Sequence, residues 1–117
     1  MQGWTYASGG AENTLAGMKH ALQLVKANAF ICVWTDTYGT DITDATVRAE
    51  VKRLKASTQS EIFIMAVTTY YQLADFQAQF GDVATVMDIS KDPNVVSKMI
   101  NHMKNSAICK NSAITSI

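Results

Sequence analysis

The residues whose types could do chemistry gather behind one stretch. Phe30-Ile31-Cys32-Val33-Trp34-Thr35 runs without a charged residue to a carboxylate, Asp36, and Asp41 and Asp44 follow soon after. Asp41 and Asp44 could support a site at Asp36 from around it. The same residue types also form turns and cap helices. Gly9-Gly10, ahead of a helical segment, is where a backbone could cradle a phosphate. Neither fuller glycine-rich phosphate fingerprint is present, so the pair reads as a turn. His20 and His102 fall on different helical segments with no cysteine or histidine at ligand spacing, and both read as surface residues. Cys32 reads as a small buried hydrophobe. Cys32 and Cys109 are too far apart to form a metal knuckle or a disulfide framework. Tyr70-Tyr71 follows a strand and opens a helix, a packed and partly exposed pair that could line a binding face. No serine, cysteine and histidine arrangement marks an activated nucleophile, so the chain is not expected to be an enzyme.

These residues must be held by something, and the apolar pattern says what. Phe30–Thr35 and Glu61–Val67 are unbroken apolar runs, the signature of strands buried on both faces of a parallel sheet. Val83–Met87 is a third, shorter strand. Helical stripes alternate with them: Leu15, Met18, Leu22 and Val25 in a helix over about Glu12–Ala27; Val47, Val51 and Leu54 over Asp44–Ala56; Leu73, Phe76 and Phe80 over Tyr70–Phe80; Val96, Met99, Ile100 and Met103 over Pro93–Lys104. Asp44 and Asp92-Pro93 are helix-start signals, and Gly81 is suited to the position past a helix end. Gly17 weakens the first helix unless close packing requires it. The alternation predicts an α/β fold, a three-layer Rossmann-like parallel sheet with flanking helices. Ligands of such sheets bind beyond the carboxyl ends of the strands, where Asp36 falls.

Bulk properties narrow the class. The 117 residues suit one domain, and 48% hydrophobic against 17% charged supports a buried core. Ten Lys and Arg balance ten Asp and Glu without a basic cluster, which argues against nucleic acid as a partner. No apolar run approaches the roughly 20 residues of a membrane span. Met1-Gln2-Gly3-Trp4 has neither a basic nor an apolar leader pattern, so no signal peptide is expected. Residues 1–104 read as the folded unit, with a short extended lead-in at Trp4–Ala7. Asn105–Ile117, which has no apolar period, reads as a flexible tail or linker without core contacts.

Two segments together resemble the von Willebrand factor A domain, also called the integrin I-like domain. Gly9-Gly10-Ala11-Glu12-Asn13-Thr14-Leu15-Ala16-Gly17-Met18-Lys19-His20-Ala21-Leu22 is similar to that family's Gly-Gly-x-Thr-x-Thr loop entering an Ala- and Leu-rich helix. Phe30–Asp36 resembles its apolar strand ending in Thr-Asp. The resemblance spans about Ser8–Met103 and corresponds to the later half of a full domain. It implies a binding or adhesion-type module that contacts a protein or matrix ligand, an extracellular setting, and magnesium at a metal-ion-dependent adhesion site. Asp36 matches the strand-end aspartate, Thr14 the second loop threonine, and Glu12 stands where the metal-facing threonine is usual. The family's Asp-x-Ser-x-Ser strand, source of most metal ligands, has no counterpart here. The metal site is therefore expected to be incomplete, with magnesium held only by a full-length form. The missing neighbour strand would leave Phe30–Thr35 as an edge open to self-association. Two other readings stand beside this one: a truncated structural fragment without autonomous activity, and a Rossmann-like nucleotide-binding protein.

Overall fold

A computed structural model describes residues 13–25, 27–106 and 108. The lead-in at Trp4–Ala7, the Gly9-Gly10 loop, Glu12 and the stretch 109–117 lie outside the described residues. The elements run α1 (Thr14–Leu24), β1 (Phe30–Thr35), α2 (Ala45–Thr58), β2 (Glu61–Ala66), α3 (Leu73–Phe80), β3 (Thr85–Asp88) and α4 (Val95–Asn105). The three strands form one parallel sheet in the order β1-β2-β3, with Ile31 opposite Ile62, Val33 opposite Ile64, and Ile64 opposite Val86. The chain is thus α/β, with a Rossmann-like parallel sheet flanked by helices.

Registered neighbours in a parallel sheet share a face, and the two faces differ. Ile31, Ile62, Ile64 and Ala66 join Leu15, Met18 and Leu22 of α1, Val51 of α2, and Phe76 and Phe80 of α3 in one buried cluster. Successive crossovers of one hand between strands taken in order put α2 and α3 on the same side, which explains the shared cluster. The opposite face carries Phe30, Cys32, Glu61, Phe63 and Met65, and α4 lies over it, with the Phe63 and His102 rings edge to face at 5.3 Å. Phe63 and Met65 are buried there, and Phe30 packs on Phe63 at 5.9 Å.

Several boundaries depart from the sequence reading for local reasons. The helix expected from Tyr70 starts at Leu73, because Gln72 and Asp75 form a reciprocal capping box that fixes the first turn; the Gln72 amide donates to Asp75 Oδ2 at 3.0 Å. The third strand begins at Thr85 and not Val83: the Val83 and Ala84 amides are still engaged by the Phe80 carbonyl, both at 2.9 Å. Gly81 ends α3 in a right-handed conformation, φ −59°, and not the left-handed one that favours glycine. A Cβ there would stand 2.5 Å from the Gln77 carbonyl oxygen, so close approach is what calls for glycine. Val96 and Ile100, expected inward, are 60% and 43% exposed. Ser106 and Ile108 are buried, so the stretch after Lys104 begins with core contacts that its composition does not announce.

Candidate functional site

The loops that leave β1 and β2 form the carboxyl edge of the sheet, and the sequence explains how they are held. Asp36 lies just past β1 and is exposed. Thr35, buried at the strand end, donates its hydroxyl to the Thr37 carbonyl at 2.7 Å and accepts from the Thr37 amide at 3.1 Å, which turns the chain out of the sheet. Asp41 then reaches back to α1. Its Oδ1 accepts from the Leu15 amide at 3.1 Å and its Oδ2 from the Ala16 amide at 2.8 Å. These are first-turn donors with no partner inside the helix, and the carboxylate meets the positive end of its dipole. Thr40 adds a hydroxyl bond to Asn13 Oδ1 at 2.9 Å. Asp44 caps α2 as expected, accepting from the Val47 amide at 3.1 Å.

Aromatic side chains stand beside this loop. Tyr38 of the first loop packs on Tyr71 of the second at 4.4 Å, and both meet Phe76 edge-on. Burial, then the nearby Asp75 and Tyr71, push the Tyr38 phenol above its ordinary value, so it stays neutral and presents a hydroxyl. Tyr70, next to this stack, is 79% exposed. The tyrosine pair expected at a helix start is therefore a loop pair, one member packed and one presented.

A third group closes the same edge at β2 and β3. Asp88 Oδ1 accepts from the Thr68 hydroxyl at 2.9 Å, the Ser90 amide at 3.1 Å and the Lys91 amide at 3.0 Å, while Ser90 Oγ takes the Thr68 amide at 2.9 Å. Burial acts to raise the Asp88 carboxyl, but these bonds outweigh it and hold it below the ordinary aspartate value. The network consumes its own donors and acceptors and ties the ends of two strands.

The proposed metal residues are not drawn into one site. Thr14 is the first residue of α1 and is buried; Asp36 is exposed; no hydrogen bond joins them. Glu12 lies outside the described residues. Among the described residues, no group of three or more His, Cys, Asp or Glu side chains could hold a metal ion. The carboxylate that does reach the start of α1 is Asp41, bound there by backbone amides. Cys32, expected to be buried, is only half-buried, on the face of β1 turned toward α4; it is a free thiol that its partial burial pushes above its ordinary value. His20 is exposed. His102 is more than a surface residue: its Nε2 lies 2.8 Å from Glu61 Oε1.

The sequence reading missed two of these constellations. Asp88-x-Ser90 after an apolar run is a recognisable side-chain turn signal. The Glu61–His102 pair joins positions 41 residues apart and left no local trace. No helix among the described residues is long and apolar enough to cross a membrane. No family model, no curated protein and no solved structure matches this chain.

Proposed function

We propose that this chain is a binding module, similar to the later half of a von Willebrand factor A domain, that engages a protein or matrix ligand across the carboxyl edge of its sheet. One observation carries the reading: Tyr70 projects from the β2–α3 loop, 79% exposed, beside the Tyr38–Tyr71 stack and on the same sheet edge as exposed Asp36. Tyrosines give large contact area with a polar tip and suit protein interfaces. Open α/β sheets use this edge for ligands. The Asp41 clamp on α1 holds the first loop in place before a ligand arrives, which reduces the ordering cost of binding.

The adhesion-type character, the extracellular setting and the link to magnesium rest on the resemblance of the Gly9–Leu22 and Phe30–Asp36 segments. The resemblance gives Asp36, Thr14 and Glu12 the role of magnesium ligands, with the partner's own carboxylate completing the shell; of these, buried Thr14 and exposed Asp36 are not brought together here. The test is surface plasmon resonance of the purified chain over immobilised extracellular-matrix proteins, with and without magnesium. Saturable binding to a member of the panel, lost in Tyr70→Ala, supports the reading. Absence of saturable binding under both conditions counts against it.

A further inference from the structure

The second face of the sheet carries a helix held by a titratable lock. No residue of α4 is fully buried, and Val96 and Ile100 face solvent. Its own inward apolar residues, Val95, Met99 and Met103, are only half-buried. Beneath its C-terminal half lies Phe63, fully buried, with the His102 ring edge-on to it. Glu61, the first residue of β2, ties this end down with both oxygens. Oε1 lies 2.8 Å from His102 Nε2, and Oε2 accepts the Ser106 hydroxyl. Ser106 Oγ in turn accepts the Ile108 amide at 3.1 Å, so the lock continues into the residues after the helix. The other charged group acting on Glu61 is Lys55 of α2, whose ammonium donates to the Val83 carbonyl.

We propose that Glu61 is a latch: protonating its carboxylate frees the C-terminal half of α4 from Phe63, while the α1–α3 side of the sheet stays folded. A carboxylate accepts from both partners at once. The neutral acid carries a proton on one oxygen, loses part of that acceptor capacity, and no longer presents a negative charge to His102. Burial by itself raises the Glu61 carboxyl, but the bonds from Ser106 and His102, with the His102 and Lys55 charges, hold it below the ordinary 4.5. A depressed folded value means the latch is fully closed above pH 4.5 and opens as the pH falls through that lower value. Partial openings of this kind are the low-free-energy end of native-state dynamics. The inference is independent of the carboxyl-edge reading, because Glu61 sits at the opposite end of β2.

Amide hydrogen exchange of the whole chain between pH 6 and pH 3, corrected for intrinsic rates, tests it. Residues of α4 are expected to lose protection by about tenfold or more relative to α2 as the carboxylate is protonated, a size set by hydrogen bonds to a charged group. Glu61→Gln is expected to show low α4 protection at every pH and no acid step. Should that variant fold poorly, Ser106→Ala is expected to show a smaller loss of the same kind. Loss of α4 and α2 protection by the same factor, or an α4 protection that does not change with pH in the unsubstituted chain, would overturn the latch.

Discussion

Asp41 and Leu15 lie 26 positions apart, yet the Asp41 carboxylate receives the Leu15 amide at 3.1 Å. With the second oxygen on Ala16, one side chain from the β1–α2 loop finishes the open end of α1. The loop that carries Asp36 and Tyr38 is thereby tied to the core through α1, whose Leu15, Met18 and Leu22 are buried. Asp41→Ala is expected to destabilise the fold by about 1–2 kcal/mol, and Asp41→Asn by less, since the amide oxygen can still accept one bond. Urea denaturation at neutral pH measures both. Equal losses for the two variants would mean that charge, and not acceptor geometry, holds the loop.

The two glycines next to helices behave oppositely. Among the described residues a Cβ at Gly17 would meet nothing within 4 Å, so no close packing among them calls for glycine in mid-helix. Gly17→Ala is expected to stabilise by about 0.5–1 kcal/mol. Gly81→Ala must displace the Gln77 carbonyl and is expected to destabilise. Thermal melts of the two variants should move in opposite directions.

Stability should fall in acid through Asp88. Its carboxyl is held below the ordinary 3.8, so its contribution is complete above that value and is lost as pH drops through the lowered one. Asp88→Asn is expected to be less stable than the unsubstituted chain at pH 7, with the gap narrowing by pH 3. Urea midpoints at both pH values test this. A gap of constant size would place the effect in hydrogen-bond geometry and not in charge.

Magnesium is expected to bind this chain weakly or undetectably. Asp36 and Thr14 are not joined, and a magnesium site needs several oxygens in near-octahedral order. A tight calorimetric isotherm abolished by Asp36→Ala would show that residues outside the described set complete the site.

What was legible in the sequence was whatever has a short period. The unbroken runs at Phe30 and Glu61 declared the two strands, but burial along the whole run holds only for Ile62–Ala66; in Phe30–Thr35 only Ile31 and Thr35 are buried and Trp34 is 54% exposed, while the stripe at Leu15, Met18 and Leu22 declared the inner face of α1. Asp44 declared its cap because the partner amide is three residues away. Longer-range choices were not legible. The stripe in α4 gave a helix but only half of its docking side: Met99 and Met103 turn inward as expected, while Val95 joins them in place of Val96 and Ile100, on the side fixed by the Glu61–His102 contact. The candidate site was half legible: Asp36 and the tyrosines stood out by type and place, while the clamp that positions their loop depends on Asp41 meeting a helix 25 residues back.

The central claim is that Tyr70 and Asp36 form the ligand-facing edge. The most direct measurement compares the affinity of the unsubstituted chain for a matrix protein it binds with those of Tyr70→Ala, Asp36→Ala and Arg53→Ala, the last an exposed residue on α2. Loss of affinity by about tenfold or more at Tyr70, a clear loss at Asp36 and none at Arg53 is the expected pattern, as for an aromatic anchor within an interface. Binding that survives both carboxyl-edge substitutions, or falls with Arg53→Ala instead, would contradict the account.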